Sequence, residues 1–177
     1  SSGNVGIGTT SPSALLHLKA TGGSVIQQFE TTGGTVARTW KNFVSASTGS
    51  YHIQDATASA NRVIIDTSGN VGIGTASPDG KVHIESSSSG ATAGAGGDEL
   101  ILESSATTGL SILSGTANDG NILFGDSGNS AIGYVQYKHA DNALNFGVNG
   151  GLKATIDSSG NVRVGVGNTF EPTIQFT

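Results

Sequence analysis

Two histidines stand at matching places in the chain, His17 within Leu16-His17-Leu18 and His83 within Val82-His83-Ile84. If identical chains met about an axis, equivalent imidazoles would converge, and imidazole is a common ligand for zinc and related ions. Each strand offers a single histidine, on the face opposite its apolar neighbours, so hydrogen bonding at the surface or between chains is the better reading. Asp66, Asp126 and Asp157 sit in turns of the Asp-Ser-Gly-Asn kind. A calcium loop needs several spaced carboxylates; these turns hold one each, which fits a turn-forming Asp bonding its own backbone. Val5-Gly6-Ile7-Gly8 and Val71-Gly72-Ile73-Gly74 invite comparison with a phosphate cradle. That motif needs a third spaced glycine opening a helix, and here Ser-Pro follows instead. Nothing places any of the four histidines near a nucleophile, and the carboxylates are too dispersed to form an acid/base pair. Trp40, Tyr51, Tyr134 and Tyr137 could stack on a sugar, but in so aromatic-poor a chain they read as filler between sheets or chains. No catalytic, cofactor-binding or metal-binding residue is assigned, and the chain is read as non-enzymatic.

The elements that would position such residues are glycine-rich and short. The 177 residues include 28 Gly, only 35% are hydrophobic and 12% charged. A chain like this has little large apolar surface for a thick private core, and too little charge for a disordered tail. It fits many short strands joined by tight turns, with part of the core supplied by a partner. The net charge of −5, with eight scattered Lys and Arg, excludes nucleic acid as a partner. The longest apolar runs, such as Val63-Ile64-Ile65, are too short for membrane insertion. With no Met and a start inside a repeat, the chain reads as a piece of a longer one. The absence of Cys removes disulfides, so stability must come from elsewhere, oligomerisation being one route.

Internal repetition organises the sequence. Residues 2–18 (SGNVGIGTTSPSALLHL) and 68–84 (SGNVGIGTASPDGKVHI) share eleven of seventeen positions. A looser copy, SGNVRVG, begins at Ser159, and both later copies follow an Ile-Asp lead-in, Ile65-Asp66 and Ile156-Asp157. This divides the chain into units 1–66 and 67–157, with a divergent or truncated third unit over 158–177. Asp66–Asn70 is a tight turn; Val71–Gly74 alternates apolar residues with glycine, leaving one face bare for the close approach of another backbone. Glycine at every second residue is thus expected to let copies of the chain nestle together.

Alternation predicts strands near Ser24–Phe29, Thr35–Val44, Tyr51–Gln54, Arg62–Ile65 and Lys81–Ile84. Later ones fall near Glu99–Glu103, Gly109–Leu113, Asn121–Phe124, Ala131–Lys138, Ala143–Val148 and Leu152–Ile156. Residues 86–97 (SSSSGATAGAGG) read as a flexible excursion or a loop crossing between units. No helical stripe is present.

The repeat Ser68–Thr75, with Ser77-Pro78 and Val82-His83-Ile84, resembles a module of bacteriophage tail-fibre and tailspike proteins. So does its first copy, Ser2–Thr9 with Ser11-Pro12 and Leu16-His17-Leu18, and the series Ile132–Tyr137, Leu144-Asn145-Phe146 and Ile156-Asp157 resembles the strands preceding such modules. The resemblance implies a repetitive, intertwined homotrimeric β-fibre, as a β-helix, a β-prism or small β-sandwich modules on a stalk. It implies a virion, extracellular location, contacts with other tail proteins, and a role in spacing or presenting a receptor-binding tip. The alternative is an adhesin module that itself grips host surface polysaccharide. In the family the motif names no catalytic residue. The third copy departs from the pattern, with Arg163-Val164 in place of Gly-Ile and no Ser-Pro after it.

Overall fold

The computed structural model describes residues 3–165. Among them are fourteen strands and no helix, so the chain is all-β. Strands β1 (Val5–Ile7) and β2 (Leu16–Leu18) form a two-stranded sheet. A seven-stranded sheet follows in sequence order: β3 (Val25–Thr31), β4 (Arg38–Val44), β5 (Tyr51–Asp55), β6 (Ala60–Ile65), β7 (Val71–Ile73), β8 (Val82–Glu85) and β9 (Leu100–Glu103). A five-stranded sheet holds β10 (Gly120–Phe124), β11 (Gly133–Lys138), β12 (Ala143–Val148), β13 (Gly151–Ile156) and β14 (Val162–Val164). The chain divides into two compact units, Ser1–Gly109 and Leu110–Thr177.

The strands lie close to where alternation placed them, with one exception: Gly109–Leu113 belongs to no strand. Each unit contains an antiparallel meander of five strands, β3–β7 in the first and β10–β14 in the second. Both carry a register shift at the same joint, between Ile53 and Gln54 in one and Phe146 and Gly147 in the other. Both end through the same turn. The Asp66 carboxylate accepts the amides of Ser68 and Asn70, each at 2.8 Å, and the Asn70 side-chain amide at 3.2 Å. Asp157 does the same for Ser159, Asn161 and the Asn161 side chain. Gly69 and Gly160 take φ of +82° in these turns, where a side chain would be strained. At Asn149-Gly150 both residues are left-handed, the two-residue hairpin loop that strand twist favours.

After the turn the glycine-rich strand does something the alternation did not reveal. β7 pairs in parallel with β8, as β1 does with β2, across connections of only eight residues each, 74–81 and 8–15. Parallel neighbours ordinarily need a crossover of about a dozen residues or more. Glycine makes the short route possible. A Cβ on Gly72 would stand 2.7 Å from the Thr75 carbonyl oxygen, and one on Gly6 would stand 2.5 Å from that of Thr9. At Gly74 and Gly8 it would lie 2.1 and 2.0 Å from the carbonyl oxygens of Glu85 and Lys19. The bare face is therefore filled by the same chain folding back over itself. This corrects the expectation that another copy fills it. Residues 86–97 also differ from a free excursion: they belong to a second parallel crossover, from β8 to β9, and are pinned at Ser88 and Ser89 by Glu103. Residues 166–177, where the third repeat was expected to diverge or stop, lie outside the described residues.

Candidate functional site

Register decides which side chains share a face, and one face of each meander carries rows of apolar residues, one of them running from edge to edge. In the seven-stranded sheet Val25, Val44, Tyr51, Ile65, Val71, Val82 and Leu100 are direct neighbours across all seven strands. Two residues further along, Ile53, Val63, Ile73, Ile84 and Leu102 continue the same face. Most of these side chains are half-exposed; Ile65, Ile73, Ile84 and Leu100 all remain open to solvent. The opposite face carries Phe43, His52, Ile64, Gly72 and His83 in one row, and both crossovers fold onto it. Ile64 and His83 there are each 2% exposed.

The second unit repeats the division. One face lines up Tyr137, Leu144, Ile156 and Val162, then Ile122, Val135, Phe146, Ala154 and Val164. The other bears a polar ladder: Gln136 donates to Asn121 (3.0 Å), Asn145 to Gln136 (3.2 Å), and Thr155 to Asn145 (2.7 Å). Ile64 in the first unit and Ala143 in the second are the only buried apolar side chains among the described residues, and only Ile64 is nearly fully enclosed. A sheet buries its apolar face against a second layer, and within each unit no described residues form a second layer over this face. The candidate site is this pair of uncovered apolar faces, the first bounded at one end by Asp55 opposite Trp40, paired with Arg38 and Arg62 at 3.2 Å each.

The histidines take positions that sequence reading did not foresee. His17 Nδ1 accepts the Ser13 amide at 3.2 Å, and His83 Nδ1 accepts the Asp79 amide at 3.3 Å. Each ring thus anchors the residue just after Ser-Pro, where the chain turns back toward the parallel strand. In the second copy Asp79, His83 and Glu103 also converge, with ligand-type atoms within 4.8 Å of one another. Protonation argues against a metal centre. With Nδ1 accepting the Asp79 amide, the proton of the neutral ring sits on Nε2, which faces Glu103 Oε2 at 2.9 Å, off the line of a well-aligned hydrogen bond. Binding a cation at Nε2 would demand an imidazolate or the loss of the anchor. Glu103 is itself occupied, accepting the Ser89 amide, the Ser89 hydroxyl at 2.9 Å and the Ser88 hydroxyl at 3.3 Å. The Ser89 contacts, led by its backbone amide, hold the Glu103 carboxyl below its ordinary value. The cluster is a clasp for the serine-rich crossover.

One Ser–His pair does form, Ser50 Oγ to His52 Nε2 at 2.7 Å. The signal for it was in the sequence, since residues two apart on a strand share a face. Both are buried, Phe43 stacks on the imidazole at 4.5 Å, and His52 Nδ1 meets no carboxylate among the described residues. The pair lacks the orienting third group and open approach that a nucleophile needs. Asp66, Asp126 and Asp157 are turn residues. The amides of Asn70 and Asn129 head the contacts that lower Asp66 and Asp126, and the Asn161 side chain heads those that lower Asp157. Trp40 and Tyr51 lie on the uncovered face of the first unit and Tyr137 on that of the second, while Tyr134 lies across Gly147 on the polar side. No family model matches the chain, and no curated protein is significantly similar to it.

Proposed function

We propose that this chain is a structural, non-enzymatic segment of a fibre of the phage tail-fibre kind, in which three copies cover one another's apolar sheet faces. The observation that carries the reading is the uncovered face in each unit: rows of Val, Ile, Leu, Tyr and Phe running across whole sheets with no second layer. Fully burying a large apolar side chain is worth about 1.5–3 kcal/mol, and these half-exposed ones would gain about half of that each on being covered. The charges on these faces are few, and Asp55, at one end of the first, is already paired with Arg38 and Arg62, so copies can meet without stranding an unpaired ion in the contact. The number three and the virion setting rest on the resemblance of the repeat to fibre modules. Work in that setting is mechanical: the assembled segment forms a stiff spacer that carries or presents a receptor-binding tip, in contact with other tail proteins. A subunit whose largest apolar surfaces await a partner is not stable alone. Light scattering or native mass spectrometry on the purified protein should give three times the chain mass. A folded, cooperative monomer at micromolar concentration overturns the proposal.

Trp40 and Tyr137 are half-exposed, which is the observation that favours the adhesin reading, with these rings stacking on host glycan. Both lie on the uncovered faces, Tyr137 within an apolar row and Trp40 opposite Asp55, so assembly through those faces would cover them. A glycan array that shows saturable binding, lost in Trp40→Ala or Tyr137→Ala while the assembly mass is unchanged, would move the assignment to a binding module.

A further inference from the structure

Leu110–Leu113, at the start of the second compact unit, reads as a strand in sequence and is not one in the single chain. It is apolar at three of four positions, and Leu110 and Leu113 are 64% and 91% exposed. Among the described residues, no backbone group from Thr107 to Leu113 is hydrogen-bonded. The neighbourhood is neutral, with no charged residue from Ser104 to Asn118. In an extended conformation Leu110 and Ile112 project to one side and Leu113 to the other, so the segment presents apolar groups on both sides. Ile112 already lines a shallow hollow of about 240 Å³ on the uncovered face, with Ile122, Val135, Tyr137 and Leu144. The segment is thus continuous with the surface assigned above to self-association.

We propose that Leu110–Leu113 is a donated strand: in the assembly it pairs with a sheet edge of a neighbouring copy and presses Leu113 into that copy's apolar face. The inference rests on the self-association reading and adds which segment crosses between chains. Symmetry supports a second copy as the recipient. A donor segment and a different acceptor surface on the same chain make a head-to-tail contact, and such contacts close into a ring when the rotation permits, three copies being one closed case. Pairing would satisfy backbone groups that the single chain leaves to water. The unpaired backbone and the exposed leucines then have one cause.

Hydrogen exchange on the assembled protein tests this, with the mass measured on the same sample. The expected result is strand-like protection of amides within 110–113 in the assembled protein, at least a hundredfold slower than the unstructured rate. Leu113→Ser provides a second readout. In the single chain this residue touches little, so its loss should weaken assembly by roughly tenfold or more, while at concentrations where the variant is fully assembled its β circular-dichroism signal equals that of the parent. A trimer in which 110–113 exchange freely and Leu113→Ser assembles normally overturns the donated strand and leaves the parent reading intact. A protein that never associates overturns both.

Discussion

Gly69 and Gly74 have nearly the same backbone dihedral, φ of +82° and +84°, in very different surroundings. A Cβ on Gly69 would meet nothing within 4 Å, whereas one on Gly74 would stand 2.1 Å from the Glu85 carbonyl oxygen. Alanine at both positions therefore separates dihedral strain from close backbone approach. Strain alone is about 1–2 kcal/mol for a residue forced into the left-handed region, and Gly69→Ala should cost that and no more. At position 74 the same strain is joined by an overlap with backbone. It can be relieved only by moving β8 away from β7, which loosens the parallel ladder Val71–Val82, Gly72–His83 and Ile73–Ile84. Each ladder hydrogen bond contributes about 0.5–1.5 kcal/mol net, so Gly74→Ala should cost about 3 kcal/mol or more. The assay is urea unfolding followed by far-ultraviolet circular dichroism, with the assembly mass measured for each variant. Equal midpoints for the two variants would refute the reasoning. So would a Gly74→Ala protein that keeps its strand stability and loses only its assembly, for then the glycines serve contacts between chains.

Other expectations follow from the same geometry. His83→Ala removes a buried anchor of the turn at Asp79 and the group facing Glu103, and should cost about 2–4 kcal/mol; His17→Ala, at a more open site with no acidic partner, should cost less than 1 kcal/mol. Equal effects in thermal melts would sink the clasp. Asp66 and Asp157 have carboxyls held below their ordinary value of 3.8, chiefly by contacts from Asn70 and Asn161. Their contribution is complete above about pH 4 and is lost as pH falls through the folded-state values. A doubly substituted Asp66→Asn, Asp157→Asn protein should be less stable at pH 7 and lose less on acidification; an unchanged acid limb in melts from pH 7 to 2 counts against these turns. Zinc or a chelator should leave the unfolding midpoint where it is, and a zinc-dependent rise abolished by Glu103→Gln would restore the Asp79–His83–Glu103 cluster as a metal site.

Local chemistry was legible in the residues themselves. Period-two alternation located nearly every strand, because a strand exposes its residues to two different environments in turn. Asp-x-Ser-Gly-Asn marked the turns, because a short carboxylate reaches amides two and four residues ahead without help from the rest of the fold. What sequence alone could not decide was partnership. Val71-Gly72-Ile73 has the same alternation whether its neighbour runs parallel or antiparallel, and whether the atoms over Gly72 belong to a second chain or to Thr75. Likewise His83 stood out through the repeat, but its meeting with Asp79 and Glu103 depends on a crossover returning over one face of the sheet. Leu110–Leu113 shows the limit most plainly: its pattern is that of a strand, and among the described residues nothing pairs with it. Side-chain pattern is a property of a few consecutive residues, whereas pairing and coverage depend on which distant segment arrives alongside. Only the folded arrangement determines that.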